Sequence, residues 1–127
     1  MIYYLVEDFN IMKKCLFLLI ICLLTAACYR ESDVMLGTWI KPAEHNINEK
    51  EGFTLKKHGR AASVNLGQLK YEKWHVSDGT LVLSGKDSST GITVDAQDIY
   101  IIRSVDKSLL VLTALNGMEN IYYTRQQ

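Results

Sequence analysis

The sequence predicts an all-β domain, a small eight-stranded antiparallel barrel of the up-and-down kind. Three observations predict it. From Val34 onward apolar and polar residues alternate with period two, as strands with one buried face require. Turn dipeptides, His58-Gly59, Asp78-Gly79 and Asn116-Gly117 among them, cut that alternation at short intervals. Helical spacing of apolar residues is missing from the whole region. Eight short strands joined by short connections form a meander, and such a meander can close on itself and leave no exposed edge.

Each element follows from local chemistry. Leu36 to Lys41 reads as the first strand, ended by Pro42, which cannot donate to a ladder. "AEHNINEK", Ala43 to Lys50, is polar and irregular and reads as a loop or short helical turn. Gly52 to Lys57 alternates Phe53 and Leu55 with Thr54 and Lys56, and His58-Gly59 turns it into a return strand, Arg60 to Leu66, with Ala62, Val64 and Leu66 on one face. Gly67-Gln68 is the next turn and Leu69 to Ser77 the next strand. Asp78-Gly79 between "YEKWHV" and "TLVLSG" is the strongest hairpin signal in the chain. Lys86 to Thr93 reads as a polar loop, and Val94 to Val105 as a long strand around "DIYIIR". Asp106-Lys107 turns that strand into "SLLVLTAL", and Asn116-Gly117 turns the next into "MENIYYTR".

Composition narrows the functional classes. A chain of 127 residues holds one domain. Its 14 basic side chains equal its 14 acidic ones, so no net field recruits nucleic acid or steers a charged substrate. One proline, eight glycines and no biased tract argue against disorder.

The first part of the chain reads as an export signal. Lys13 and Lys14 precede an unbroken apolar run, Cys15 to Leu24, and the small residues Thr25, Ala26 and Ala27 follow it. The run falls short of the roughly 18–20 residues that span a bilayer as a helix. Glu7 and Asp8 do not suit a basic n-region, so Met12 is the better start and residues 1–11 read as a misassigned extension. "LTAAC", ending at Cys28, resembles a bacterial lipobox, with Thr25 where leucine is usual. That resemblance implies cleavage after Ala27, a lipid on the Cys28 thiol and an acylated amine, and several acyl chains anchor far more firmly than one. The expected organisation is therefore a signal peptide over 12–27, a lipidated tether over 28–35 and the barrel over 36–127. The expected location is the cell envelope, most simply the outer membrane. With Cys15 and Cys22 in the leader, the body contains no cysteine and has neither disulfide nor thiolate chemistry.

Gly37-Thr38-Trp39 resembles the Gly-x-Trp motif that opens lipocalins. "LGTW", "EGFTLKKHGRAASVN" and "LKYEKWHVSDGTLVLSG", followed by a strand-rich tail, are similar to the small bacterial lipocalin-like lipoproteins from Leu36 to Arg125. The resemblance implies that Trp39 plugs the closed end of the barrel and that Arg125, on the last strand, lies across its ring. Gly37, Trp39 and Arg125 are thus expected to be structural. A chain this short implies a shallow vessel rather than a deep ligand cup.

Chemistry-bearing constellations are sparse. His45, His58 and His75 have neither the i,i+2 nor the i,i+4 spacing that aims two imidazoles at one ion, so no metal and no cofactor are expected. Gly-x-Ser-x-Gly does not occur, and "SGKDSSTG" lacks the Gly-Lys-Ser/Thr ending of a phosphate loop, so the chain reads as a non-enzyme. Aromatics are the richer signal. Phe53, Tyr71, Trp74, Tyr100, Tyr122 and Tyr123 are many for so small a body, and the first five are the candidate ligand-binding residues. Eight-stranded barrels either fill with side chains or hold one small ligand. Two functions follow: a binding module for a small hydrophobic or aromatic ligand, or, with a filled interior, a non-enzymatic module that meets an envelope protein partner, as an assembly factor or an enzyme inhibitor does. An apolar cavity of roughly 300 Å3 or more favours the first.

Overall fold

The computed structural model of the chain describes residues 13–15 and 33–127. Lys13 to Cys15 are helical. Cys28 and the expected boundaries at 11, 27 and 28 lie outside the described residues.

Val34–Gln127 forms one compact unit. Among the described residues it holds eight strands: β1 Gly37–Pro42, β2 Lys50–Leu55, β3 Ala61–Val64, β4 Leu69–Ser77, β5 Thr80–Asp87, β6 Val94–Val105, β7 Leu109–Ala114 and β8 Asn120–Arg125. They form one antiparallel sheet in the order β3-β2-β1-β8-β7-β6-β5-β4. First and last strands are therefore neighbours, with Trp39 opposite Arg125 and Ile40 opposite Thr124. Closure between β3 and β4 is thinner than the expected seamless barrel. A single bridge, Arg60 to Lys73, and a hydrogen bond from the Tyr71 amide to Ser63 Oγ at 2.8 Å span that seam.

Alternating strand direction sorts the connections. Residues 43–49, 65–68, 88–93 and 115–119 lie at one end, and residues 56–60, 78–79 and 106–108 at the other. The tight turns follow their residue types: Asp78 (φ 49°) and Gly79 (φ 74°) take the paired positive φ of a type I′ hairpin, which suits the twist of β4 and β5. Asp106 Oδ1 accepts from the amides of Ser108 and Leu109, both at 2.8 Å, closing the β6–β7 turn.

Several expected boundaries differ: Pro42 stays in β1, paired with Lys50, rather than ending it, and β2 runs Lys50–Leu55 rather than Gly52 to Lys57. The return strand is only Ala61–Val64, because Asn65 leaves extended geometry at φ 55°. Lys86 and Asp87 continue β5, paired with Asp95 and Val94, rather than starting the loop. Asn116-Gly117 belongs to a five-residue connection, 115–119, where the Gly117 amide bonds back to Ala114 O at 3.0 Å.

The lower barrel is packed solid. Trp39, Phe53, Leu55, Leu81, Leu83, Leu110 and Leu112 are fully buried, and burial of each such side chain contributes about 1.5–3 kcal/mol. A β-bulge between Tyr71 and Lys73 shifts the phase of β4, so Tyr71 and Trp74, three residues apart, both face inward. Opposite that bulge, a Cβ on Gly85 would collide with the main chain of Lys70 and Tyr71, so the close approach of β4 to β5 requires glycine.

Candidate functional site

The two ends of the barrel differ in chemistry. At the closed end Trp39 is wholly buried and its indole Nε1 donates to Met35 O at 2.9 Å. The Arg125 guanidinium lies 4.3 Å from the centroid of that ring. Its Nε donates to Lys107 O at 2.7 Å, its Nη2 to Val34 O at 2.5 Å, and its Nη1 to Leu36 O. Gly37 makes room for it, since a Cβ there would sit 2.5 Å from Nη1. One side chain therefore caps the tryptophan and ties down the segment that leads into β1. Trp74 shares this end; its Nε1 donates to Lys56 O at 2.8 Å in the β2–β3 connection.

At the opposite end the filling stops. A cavity of about 360 Å3 opens there, lined by Lys41, Glu44, Glu51, Gly52, Phe53, Leu66, Leu69, Tyr71, Asp98, Tyr100, Ile121 and Tyr123. Register explains why these side chains meet. Trp39 opposes Phe53 and Lys41 opposes Glu51, so stepping up the inner face of the β1–β2 hairpin passes from packing to charge. Arg125, Tyr123 and Ile121 climb the inner face of β8 in steps of two, as Tyr100 and Asp98 do on β6.

Phe53 and Tyr123 form the floor, their ring centroids 5.0 Å apart and tilted by 55°. Both are nearly inaccessible to solvent. Above them the Tyr71 hydroxyl donates to Asp98 Oδ2. Lys41 Nζ and Glu51 Oε1 form an ion pair at 2.9 Å near the mouth. Burial is the main cause that pushes the phenols of Tyr71, Tyr100 and Tyr123 above their usual range. Neighbouring negative charge adds to it: Asp98 on Tyr71 and Tyr100, and Glu51, Asp98 and Glu44 on Tyr123. All three hydroxyls are accordingly neutral near pH 7. A second hollow, about 430 Å3, lies over β4–β6 among Glu72, Lys86, Asp95 and Gln97, with Lys86 and Asp95 paired across it. It has no aromatic wall.

Of the five aromatic candidates, Phe53, Tyr71 and Tyr100 line the cavity. Trp74 does not; it is core at the closed end, 8% exposed and hydrogen-bonded to main chain. Tyr122 is 58% exposed on the outer face, because its neighbour Tyr123 is the inward residue of the alternating pair. Sequence reasoning passed over Tyr123, Asp98 and the Lys41–Glu51 pair. The cavity also departs from the expected apolar pocket: its floor is aromatic, and nearer the mouth Leu66, Leu69 and Ile121 are mixed with the charged Lys41, Glu44, Glu51 and Asp98. Among the described residues no group of three or more His, Cys, Asp and Glu is placed to hold a metal ion.

Comparison with other proteins agrees with this architecture. A family model described as lipocalin-like matches residues 31–126. Among solved structures, a lipocalin-like protein from Bacteroides thetaiotaomicron VPI-5482 is 31% identical and superposes with a TM-score of 0.64. The match covers 73% of this chain and 97% of that one. No curated protein matches the chain.

Proposed function

The chain belongs to the lipocalin-like family, and we propose that it is an envelope lipoprotein whose barrel holds one small molecule with an aromatic or apolar body. One observation carries this reading: above a solid core the barrel keeps a cavity of about 360 Å3 with a floor of Phe53 and Tyr123. That volume falls within the usual range of small-molecule sites, toward its lower limit. A long acyl chain does not fit, since the packed layer of Leu55, Leu81, Leu83, Leu110 and Leu112 blocks any deeper passage. The proposed role is non-catalytic. Attachment rests on the Cys28 lipobox, which would hold the barrel at the membrane surface.

Native mass spectrometry of protein released gently from its own envelope tests the reading. The expected result is a retained small-molecule mass, absent from a Leu69→Trp variant whose indole fills the cavity. Folded wild-type protein that carries no such mass and binds no small aromatic molecule would end it.

A protein-partner role draws on a different observation. Ile47, Ile92 and Met118, in three of the connections at the open end, are 77%, 71% and 99% exposed. A co-purifying envelope protein in place of a small mass would favour that role.

A further inference from the structure

Resting on the reading of the cavity as a ligand site, we propose that its ligand carries a positively charged amine, and that Asp98 is the counter-ion. The argument begins with charge. The cavity contains one cationic side chain, Lys41, against three carboxylates, Glu44, Glu51 and Asp98. Lys41 is committed to Glu51 at 2.9 Å, which leaves Glu44 at the mouth and Asp98 on the inner wall without a cationic partner among the described residues.

Asp98 is the better placed of the two. Its position on the inner face of β6, two residues before Tyr100 and opposite the fully buried Leu83, sets it one step above the floor. Tyr71 donates to its Oδ2, and Oδ1 receives no hydrogen bond among the described residues. The structure thus fixes the carboxylate by one oxygen and leaves the other for a donor in the cavity. A protonated amine supplies such a donor together with the opposite charge, and a charge-assisted hydrogen bond is about twice as strong as a neutral one.

The rings point to the same ligand chemistry. Phe53, Tyr71, Tyr100 and Tyr123 all line the cavity, and the faces of aromatic rings carry negative charge that attracts cations. Phenols are neutral near pH 7 and burial raises these three further, so they serve as walls and donors rather than as competing anions. An anionic ligand, such as a small carboxylic acid, would meet Asp98 and Glu44 with Lys41 already occupied. A neutral aromatic alcohol would gain the floor and forgo the ion pair. Ranking follows: ammonium above alcohol, alcohol above carboxylate.

Calorimetric titration of protein purified from its own cells and washed free of ligand reads this ranking directly. Three probes of similar size are used: 2-phenylethylammonium, 2-phenylethanol and 3-phenylpropionate. The ammonium is expected to bind about tenfold or more tighter than the alcohol, as a hydrogen bond to a charged group implies. Asp98→Asn keeps an acceptor for the Tyr71 hydroxyl, and it should abolish that preference for ammonium over alcohol. Equal binding of ammonium and alcohol, or tightest binding of the carboxylate, overturns the charge assignment and leaves the cavity a neutral or anion site. Failure of all three probes overturns the ligand reading itself. The ranking on the unaltered protein decides the matter even if the variant does not fold.

Discussion

Arg125 places its guanidinium 4.3 Å from the centre of the Trp39 ring, and the two residues are register partners across the β1–β8 junction. The contact ties the first strand to the last in the middle of the sheet as well as capping the base of the barrel. Trp39→Ala is expected to cost about 3–5 kcal/mol, the range for truncating a core aromatic. Arg125→Ala should cost about 2–3 kcal/mol, more than a stacked cation alone contributes, because it also strips donors from the carbonyls of Val34, Leu36 and Lys107. Denaturant melts of both variants check the order. A Trp39→Ala protein within about 1 kcal/mol of wild type would contradict its buried position.

Adjacent tyrosines on β8 should behave as opposites. Tyr123 is 5% exposed and packs on Phe53, whereas Tyr122 is 58% exposed. Tyr123→Ala is expected to lose about 3–5 kcal/mol, and Tyr122→Ala no more than about 0.5 kcal/mol. Equal losses in a melt would mean that the register of β8 is wrong.

Alkaline pH should unfold the barrel. Burial raises the phenols of Tyr71, Tyr100 and Tyr123 from their ordinary value of 10.0, so the folded state holds these protons after the unfolded state has released them. Their contribution is fully present below pH 10 and declines as pH rises above it. Each phenol lowers stability by about 1.4 kcal/mol per pH unit until it ionises in the folded state. Melts from pH 8 to 11.5 should be flat at first and then fall steeply. A midpoint that does not move above pH 10 would contradict the buried phenols.

Lipid attachment has its own test. Cys28→Ser should abolish metabolic labelling with fatty acid and release the barrel from the membrane fraction, since the only other cysteines, Cys15 and Cys22, lie in the expected leader. Unchanged labelling of the variant would remove the lipoprotein proposal.

The order of the strands was legible because alternation and turn chemistry agree at most positions. Asp78-Gly79 is the clearest case, where the dipeptide, the two positive φ values and the β4–β5 register all coincide. The Trp39–Arg125 contact was legible through the lipocalin resemblance. That same contact fixes the phase of β8: counting back by twos from Arg125 reaches Tyr123 and Ile121, which assigns Tyr122 to solvent. The signal for Tyr123 was therefore present, and choosing Tyr122 broke the period. Counting back by two from Tyr100 reaches Asp98 in the same way. Trp74 does face inward, through the bulge after Tyr71, but three residues further along β4 it has reached the closed end, where its indole meets Lys56 O, and alternation alone does not give that depth. Pairing of Lys41 with Glu51 depends on how the 43–49 connection sets the β1–β2 register, and a loop of that length fixes no register by composition.

The thin seam between β3 and β4 bears on how the molecule breathes. One bridge at Arg60 and Lys73 and the Ser63 contact to Tyr71 do the work of a whole ladder there. Amides along the free margins of β3 and β4 should therefore exchange with deuterium ahead of those in β5 to β8. Leu66, Leu69 and Tyr71 line the cavity beside this seam. Parting the seam by an ångström or two would widen the mouth while every continuous ladder stayed intact, so under the proposed ligand reading this placket is where a guest would enter without unfolding its host.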